Sequence, residues 1–219
     1  MGKQVKYNYN KKIKSKGISY YFWLPLARFL PHIKFRRVIR CGTENIPKEG
    51  GIILASNHIS GFDPITVGGS GGRDLHFMSK IEHFENWYSP LLRVFNGFPV
   101  NRGNTDKSSV EYAIRVVKEG HVLGMFPEGT RSKTFEKPVK GKSGVALIAR
   151  EARADVLPIS LYKVQRDKKW SDLIVRYGEV IKYEDFGFTD EKKSRELKDA
   201  TKKIMGEIGK LWEQGDAKL

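Results

Sequence analysis

From Val38 onward the chain alternates short apolar runs with stretches of helical spacing, and this alternation restricts the possible fold more than any other feature. GGIILAS follows the turn signal PKEG; LHFMS spans 75–79, GFPV 97–100, HVLGMF 121–126 and VLPISL 156–161. Each run is strand-length and dense enough in apolar side chains to be buried on both faces. VIRCG, beginning at Val38, reads as a further strand. Over 106–119, Val110, Ala113, Ile114 and Val117 recur at helical spacing, with Asp106 placed to cap the start and Gly120 to end it. A second helix is expected from about Ser143 to Glu151, and a hairpin over YKVQRDKKWSDLIVRYG. The last stretch predicts a long amphipathic helix with Leu197, Ile204, Ile208 and Leu211 on one stripe. Strands alternating with helices predict an α/β fold, a mostly parallel central sheet flanked by helices. The 219 residues are enough for one such domain with a sizeable core.

In sheets of this kind ligands bind beyond the carboxyl ends of the strands. SNHISGFD directly follows one expected strand, NRGN another and PEGTRS a third, so three polar motifs should meet on one edge. His58 and Asp63 are five apart, a poor spacing for one helix face but a good one across a turn. Gly61 permits that turn, and Asp63-Pro64 suits a helix start. Asp63 would then face back to His58. An aspartate bonded to one ring nitrogen fixes the tautomer and makes the other nitrogen a better base. The competing reading is that Asp63 only caps and His58 only packs. Ser60 lies inside the turn with no separate oxyanion motif and is a poor nucleophile. In FPEGTRS, Arg131, the Thr130 hydroxyl and the amides around Gly129 form a candidate phosphate cradle, with Arg102 as a second cation on the same edge. The bland alternative is a turn built on Pro127 and Gly129. A general base beside a phosphate site suggests deprotonation of a hydroxyl on a phospholipid precursor.

The net charge of +15 is concentrated at one end. Residues 1–40 hold eleven Lys or Arg and no acidic residue, leaving only four net charges for the rest of the chain. A basic segment usually means nucleic acid or an anionic membrane. Here the lysines lead into ISYYFWLPLARFLPHIKFRR, whose aromatic and aliphatic density suits a bilayer interface. Residues 1–36 are therefore expected as an amphipathic membrane-associating segment, with Tyr20, Phe22, Trp23, Leu24 and Arg28 at the lipid surface, and 37–219 as the globular domain. The longest charge-free piece, Ile18 to Ala27, is far short of the ~20 residues of a membrane span. A peripheral or monotopic protein on the cytoplasmic face of the membrane is expected, and no nucleic-acid partner. A signal peptide and a core helix are the competing readings of the same stretch.

Other chemistries find little support. Gly68 to Gly72 matches G-x-S-x-G by letter, but a strand follows it where that motif needs a helix. Gly141-Lys142-Ser143 resembles the end of a phosphate-binding loop, yet Glu136 stands where its first glycine belongs. The five histidines form no HExxH, so no metal and no cofactor is expected. Cys41 is the only cysteine, which excludes an intramolecular disulfide and fits a reducing compartment. Its place in VIRCG suggests a packed small residue.

NHISGFD, GFPVNR, FPEGTRS and VLPISL, in this order and spacing, resemble the four sequence blocks of the glycerolipid acyltransferases, closest to the branch that acylates 1-acyl-sn-glycerol 3-phosphate. The resemblance runs from Gly51 to Leu161, and KSGVALIA also looks like the family's segment between the last two blocks. Gly61-Phe62 and Asn101 depart from its commoner residues. The resemblance implies a glycerol-3-phosphate acyltransferase-like fold and direct transfer without an acyl-enzyme. His58 would take the proton of the sn-2 hydroxyl of lysophosphatidic acid as that oxygen attacks acyl-CoA or acyl-carrier protein, and Asp63 would orient His58. Arg131 and Arg102 would hold the acceptor phosphate in a cradle shaped by Gly129 and Thr130. Glu128 would orient Arg131 or an acceptor hydroxyl, and Pro158 would lie by the acyl donor. Glycerol 3-phosphate or another lysophospholipid is the alternative acceptor, because the same blocks serve several. A non-catalytic basic membrane-binding protein is the reading outside enzymes.

Overall fold

The computed structural model describes residues 7–13, 18–68, 72–101, 106–132, 136–138, 140–165 and 171–216, with the backbone alone for 18–21 and 27. Among the described residues, seven strands form one sheet: β1 (Val38–Cys41), β2 (Ile52–Ser56), β3 (Leu75–Lys80), β4 (Gly97–Val100), β5 (Val122–Met125), β6 (Asp155–Gln165) and β7 (Ser171–Tyr177). The described residues also form six α-helices: α1 (Ile18–Phe29), α2 (Asp63–Gly68), α3 (Ser89–Val94), α4 (Lys107–Lys118), α5 (Gly144–Ala152) and α6 (Ser194–Glu213). The strand order is β1-β7-β6-β2-β5-β3-β4, and every neighbouring pair is parallel except β6 with β7. The expected mostly parallel sheet with helices on its faces is therefore present, and the expected hairpin is its one antiparallel pair.

Alternation along the central strands explains the two layers. Ile53, Ala55 and Leu123 point to one face, where they pack with Tyr112 and Val116 of α4, Val145 and Ile148 of α5 and Ile204 and Ile208 of α6. Ile52, Leu54 and Val122 point to the other, where they meet Val67 of α2 together with Phe35 and Ile46. A strand buried on both faces needs apolar residues at every position, which is why these runs show no polar alternation. The Asp106 carboxylate caps α4 by accepting from the Ser109 N–H at 3.1 Å. Where the chain enters β2, a Cβ on Gly51 would stand 1.8 Å from the Val117 carbonyl oxygen, so only glycine lets β2 pass the end of α4.

The N-terminal stretch is divided between two tasks. Ile13 is buried in the α4 side of the core, Tyr7 and Tyr9 pack against Tyr112, and the Tyr9 hydroxyl donates to the Pro99 carbonyl at 2.9 Å. The Arg115 guanidinium donates to the Tyr9 carbonyl at 3.0 Å. Residues 7–13 are thus part of the folded body, despite the basic composition that marked 1–36 as a separate segment. Helix α1 turns Leu24 inward, onto a small cluster of Phe77, Phe95, Leu91 and Leu92. Phe22, Leu26 and Phe29 remain exposed at 74%, 43% and 62%. Leu24 therefore departs from the expected lipid-facing set, whereas Phe22, Trp23 and Arg28 are on the exposed side. The side chain of Tyr20 lies outside the described residues. Among the described residues no helix is long and apolar enough to cross a membrane.

Candidate active site

Strands β2 and β5 are adjacent and parallel, so their carboxyl ends open onto the same edge. From β2 the chain runs into SNHISGFD, and from β5 into FPEGTRS. Asn57 makes the exit from β2 possible. Its amide donates to the Leu161 carbonyl at 3.0 Å and accepts the Leu161 N–H at 2.7 Å, so the side chain stands in for one more residue of the ladder with β6. The backbone is then free to turn at His58.

That turn closes on one carboxylate oxygen. Asp63 Oδ2 accepts three hydrogen bonds, each at 2.7 Å, from His58 Nδ1 and from the backbone N–H groups of Ile59 and Ser60. Asp63 is fully buried and the His58 side chain is 13% exposed. An oxygen ringed by N–H groups is an acceptor, so Nδ1 carries the ring proton there and Nε2 is the basic nitrogen. The Phe126 ring stacks on the imidazole with centroids 4.2 Å apart. Asp63 opens α2 as expected, but its carboxylate reaches back along the chain to satisfy the turn and the imidazole.

Residues 126–132 wrap around the same imidazole. Glu128 Oε2 accepts the His58 backbone N–H at 2.7 Å, and the His58 carbonyl accepts the Ser132 N–H at 2.7 Å. Burial pushes the Glu128 carboxyl above its ordinary range, and the His58 N–H pulls it partly back. Gly129 has φ +75°, a conformation that glycine adopts freely, and it turns the chain between Glu128, which bonds the His58 N–H, and Thr130 and Arg131, which line a cleft.

Arg131 and Thr130 line a cleft of about 460 Å³ together with His58 and Gly61. The cleft is also lined by Lys80, at the end of β3 and ion-paired with Glu82 at 2.8 Å, by His83 and Tyr88, and by the apolar side chains of Phe77, Met78 and Leu92. A second cavity of about 250 Å³ shares Met78 and Phe126 with the cleft and is bordered by Lys142 and Val145. Of the expected site residues, His58, Asp63, Thr130 and Arg131 are brought together, Gly129 shapes the turn, and Arg102 lies outside the described residues. Glu128 holds the His58 amide where an interaction with Arg131 or a substrate hydroxyl was expected. Pro158 does not reach the cleft either. It is a buried residue of β6, opposite Ala55 of β2, and its carbonyl accepts the Gly178 N–H at 2.9 Å. Lys80 and Asn57 were assigned no task from sequence. The signal for Lys80 was available, since it stands at the carboxyl end of a parallel strand on the same edge. The bond from Asn57 spans 104 residues and leaves no local mark.

The remaining reactive groups lie elsewhere. Ser60 is buried, and its Oγ accepts the Phe62 N–H at 3.3 Å. Cys41 ends β1, three strands from β2 in the sheet. Among the described residues no group of three or more His, Cys, Asp or Glu could hold a metal ion.

The family model described as Acyltransferase matches residues 37–162, from β1 to the middle of β6. The chain is 37% identical over 117 residues to the 1-acyl-sn-glycerol-3-phosphate acyltransferase of Bacillus subtilis, covering 52% of this chain and 57% of that protein. It is 30% identical over 164 residues to the Streptococcus pneumoniae protein of the same name, covering 71% and 59%. The matches thus span less than three-fifths of these relatives' length. The solved structure of the 1-acyl-sn-glycerophosphate (LPA) acyltransferase from Thermotoga maritima superposes with a TM-score of 0.57 at 23% identity, over 86% of this chain and 79% of that one, which establishes a shared fold. With the family model matching more than half of its length, the chain belongs to the acyltransferase family.

Proposed function

We propose that this protein transfers a fatty acyl group from acyl-CoA or acyl-carrier protein to the sn-2 hydroxyl of lysophosphatidic acid, giving phosphatidic acid. The observation that carries this reading is that His58 Nε2 meets no hydrogen-bond partner among the described residues. The other polar atoms of the residue are held by Asp63, Glu128 and Ser132, and the ring borders a cleft that also holds Arg131 and Lys80. Nε2 takes the proton of the acceptor hydroxyl as its oxygen attacks the thioester carbonyl carbon. The tetrahedral intermediate then collapses with cleavage of the C–S bond, and the departing thiolate receives that proton back from the imidazolium. No enzyme nucleophile is required, in keeping with Ser60 and Cys41 being engaged or distant. The two cations suit a phosphate on the acceptor, with the fork of Arg131 matching two of its oxygens. The names of the relatives support lysophosphatidic acid as acceptor over glycerol 3-phosphate.

The test is acceptor competition with the purified full chain and radiolabelled acyl donor. Label should move to lysophosphatidic acid, and unlabelled glycerol 3-phosphate should compete poorly. Efficient labelling of glycerol 3-phosphate would replace the acceptor, and label retained covalently on the protein would overturn direct transfer. Replacing Arg131 with lysine keeps the charge and loses the fork, so the acceptor KM should rise with the donor KM much less affected. An unchanged acceptor KM would remove Arg131 from phosphate recognition.

The exposed face of α1 fits the surface of the membrane in which both lipid substrate and product reside. Phe22, Leu26 and Phe29 supply apolar area, and the exposed Lys34 and Arg36 nearby suit lipid phosphates. Deleting the whole segment would also strip Ile13 from the core, so point changes are the cleaner probe. The triple variant Phe22→Ser, Leu26→Ser, Phe29→Ser should stay folded, lose binding to anionic phospholipid vesicles and turn over vesicle-embedded acceptor poorly. A folded triple variant that binds vesicles like the parent would exclude α1 as the anchor.

A further inference from the structure

We propose that Glu128 is a positioning residue, which fixes the catalytic base through its backbone and does not touch the substrate. The proposal rests on the reading of His58 as that base. Glu128 Oε2 accepts the His58 N–H at 2.7 Å, while four residues later the Ser132 N–H reaches the His58 carbonyl, also at 2.7 Å. The peptide groups on both sides of the His58 Cα are therefore pinned by one turn of the neighbouring strand's loop.

The placement of Glu128 separates it from its neighbours. Phe126, Thr130 and Arg131 border the cleft, and Phe126, Pro127 and Gly129 border the second cavity, but Glu128 borders neither. The left-handed turn at Gly129 is what lets consecutive side chains diverge in this way. That turn is itself braced, because the Lys142 N–H donates to the Pro127 carbonyl at 2.7 Å and the Gly129 N–H to the Phe126 carbonyl at 3.0 Å. Phe126 of the same loop stacks on the ring.

Asp63 cannot do this work alone. Its single oxygen fixes the ring nitrogen and the two N–H groups that follow His58, so it constrains the imidazole from the side of the turn. The His58 amide, on the strand side, depends on Glu128. The carbonyl of the same peptide, that of Asn57, accepts the Ser56 hydroxyl at 3.0 Å, so losing Glu128 leaves the Asn57–His58 peptide one anchor of two and lets it tilt, carrying Nε2 away from the hydroxyl it must meet. A displacement of about 1 Å at a reacting group can cost on the order of 10²-fold in rate. The motif E-G-T-R thus splits into a residue that points at the base, a glycine that reverses the chain, and two residues that point at the substrate.

The test compares Glu128→Ala and Glu128→Gln in the full chain, using lysophosphatidic acid with acyl-CoA for turnover and amide hydrogen exchange without any substrate. Glutamine keeps an oxygen that can accept the His58 N–H; alanine does not. Glu128→Ala should lower kcat by ~10-fold to 100-fold with the acceptor KM nearly unchanged, and Glu128→Gln should restore most of it. In Glu128→Ala the His58 amide should exchange at least about fivefold faster, while the Ile59 and Ser60 amides keep their protection. Three results would overturn the proposal: an acceptor KM that rises at constant kcat, a glutamine variant as slow as the alanine variant, or unchanged exchange at His58. The glutamine arm decides even if the alanine variant folds poorly. Should no acceptor be acylated by the parent protein, the functional reading fails, and the exchange measurement still decides the clamp.

Discussion

Replacing His58 with alanine is expected to lower kcat by ~10² or more, the usual cost of losing a general base, while the protein remains folded. The second half of that expectation comes from how Asp63 is satisfied. The imidazole is one of three donors to Asp63 Oδ2, and the Ile59 and Ser60 N–H groups stay in place when the ring is removed. The carboxylate therefore keeps its partners and the turn keeps its shape. The ring's other contact is the face of Phe126, which already borders the open cleft, so its loss enlarges that cleft and leaves no closed void in the core. The acceptor KM should change little, because in the proposed reading the cations of the cleft hold the phosphate and the base acts on a proton that moves only during reaction. Circular dichroism and urea unfolding establish the fold, and steady-state turnover at saturating acceptor gives kcat. A folded His58→Ala protein with near wild-type kcat would mean that another group takes the proton.

The strands, their shared carboxyl edge and the turn from His58 to Asp63 were legible because each is set by neighbours in sequence. Ile52 to Ser56 could be nothing but a doubly buried strand, and Asp106 could cap α4 from three residues away. Features that depend on a choice between two acceptable surroundings were not legible. An apolar helix such as α1 can bury one stripe in protein and offer another to lipid, and its composition is the same for both. Leu24 turned inward and Phe22 outward because the cluster of Phe77, Phe95, Leu91 and Leu92 offers a site on one side only. Ile13 was hidden for a similar reason, since the lysines around it mark a solvated face without revealing what the other face covers. The bond from the His58 N–H to Glu128 was not legible because it hangs on one backbone angle at Gly129, which the letters E-G-T-R permit but do not specify. The pairing of the Pro158 carbonyl with the Gly178 N–H, at the exit from β7, was not legible either, since it joins two strands and leaves no local mark.

Asp63 should give the largest combined effect on activity and stability, and its two substitutions separate the two roles. Alanine removes the acceptor of three N–H groups in a fully buried site. Each orphaned buried donor costs about 1–3 kcal/mol, so Asp63→Ala should lose about 3 kcal/mol or more of stability and unfold at distinctly lower urea. Asparagine keeps an oxygen where Oδ2 now stands. Its amide nitrogen falls at the Oδ1 position, which meets no hydrogen-bond donor among the described residues, so it displaces no existing bond. Asp63→Asn should therefore fold with a smaller stability loss, that of one unpaired amide group. Its activity should nonetheless fall by ~10² or more, because the imidazolium formed as the hydroxyl loses its proton no longer faces a negative charge in a buried site. The stability measurement and the rate measurement should thus rank the two variants differently, with alanine worse for folding and both poor in catalysis. An asparagine variant with wild-type kcat would reduce Asp63 to a turn-holding residue, and an alanine variant as stable as the parent would show that the three N–H groups find other acceptors.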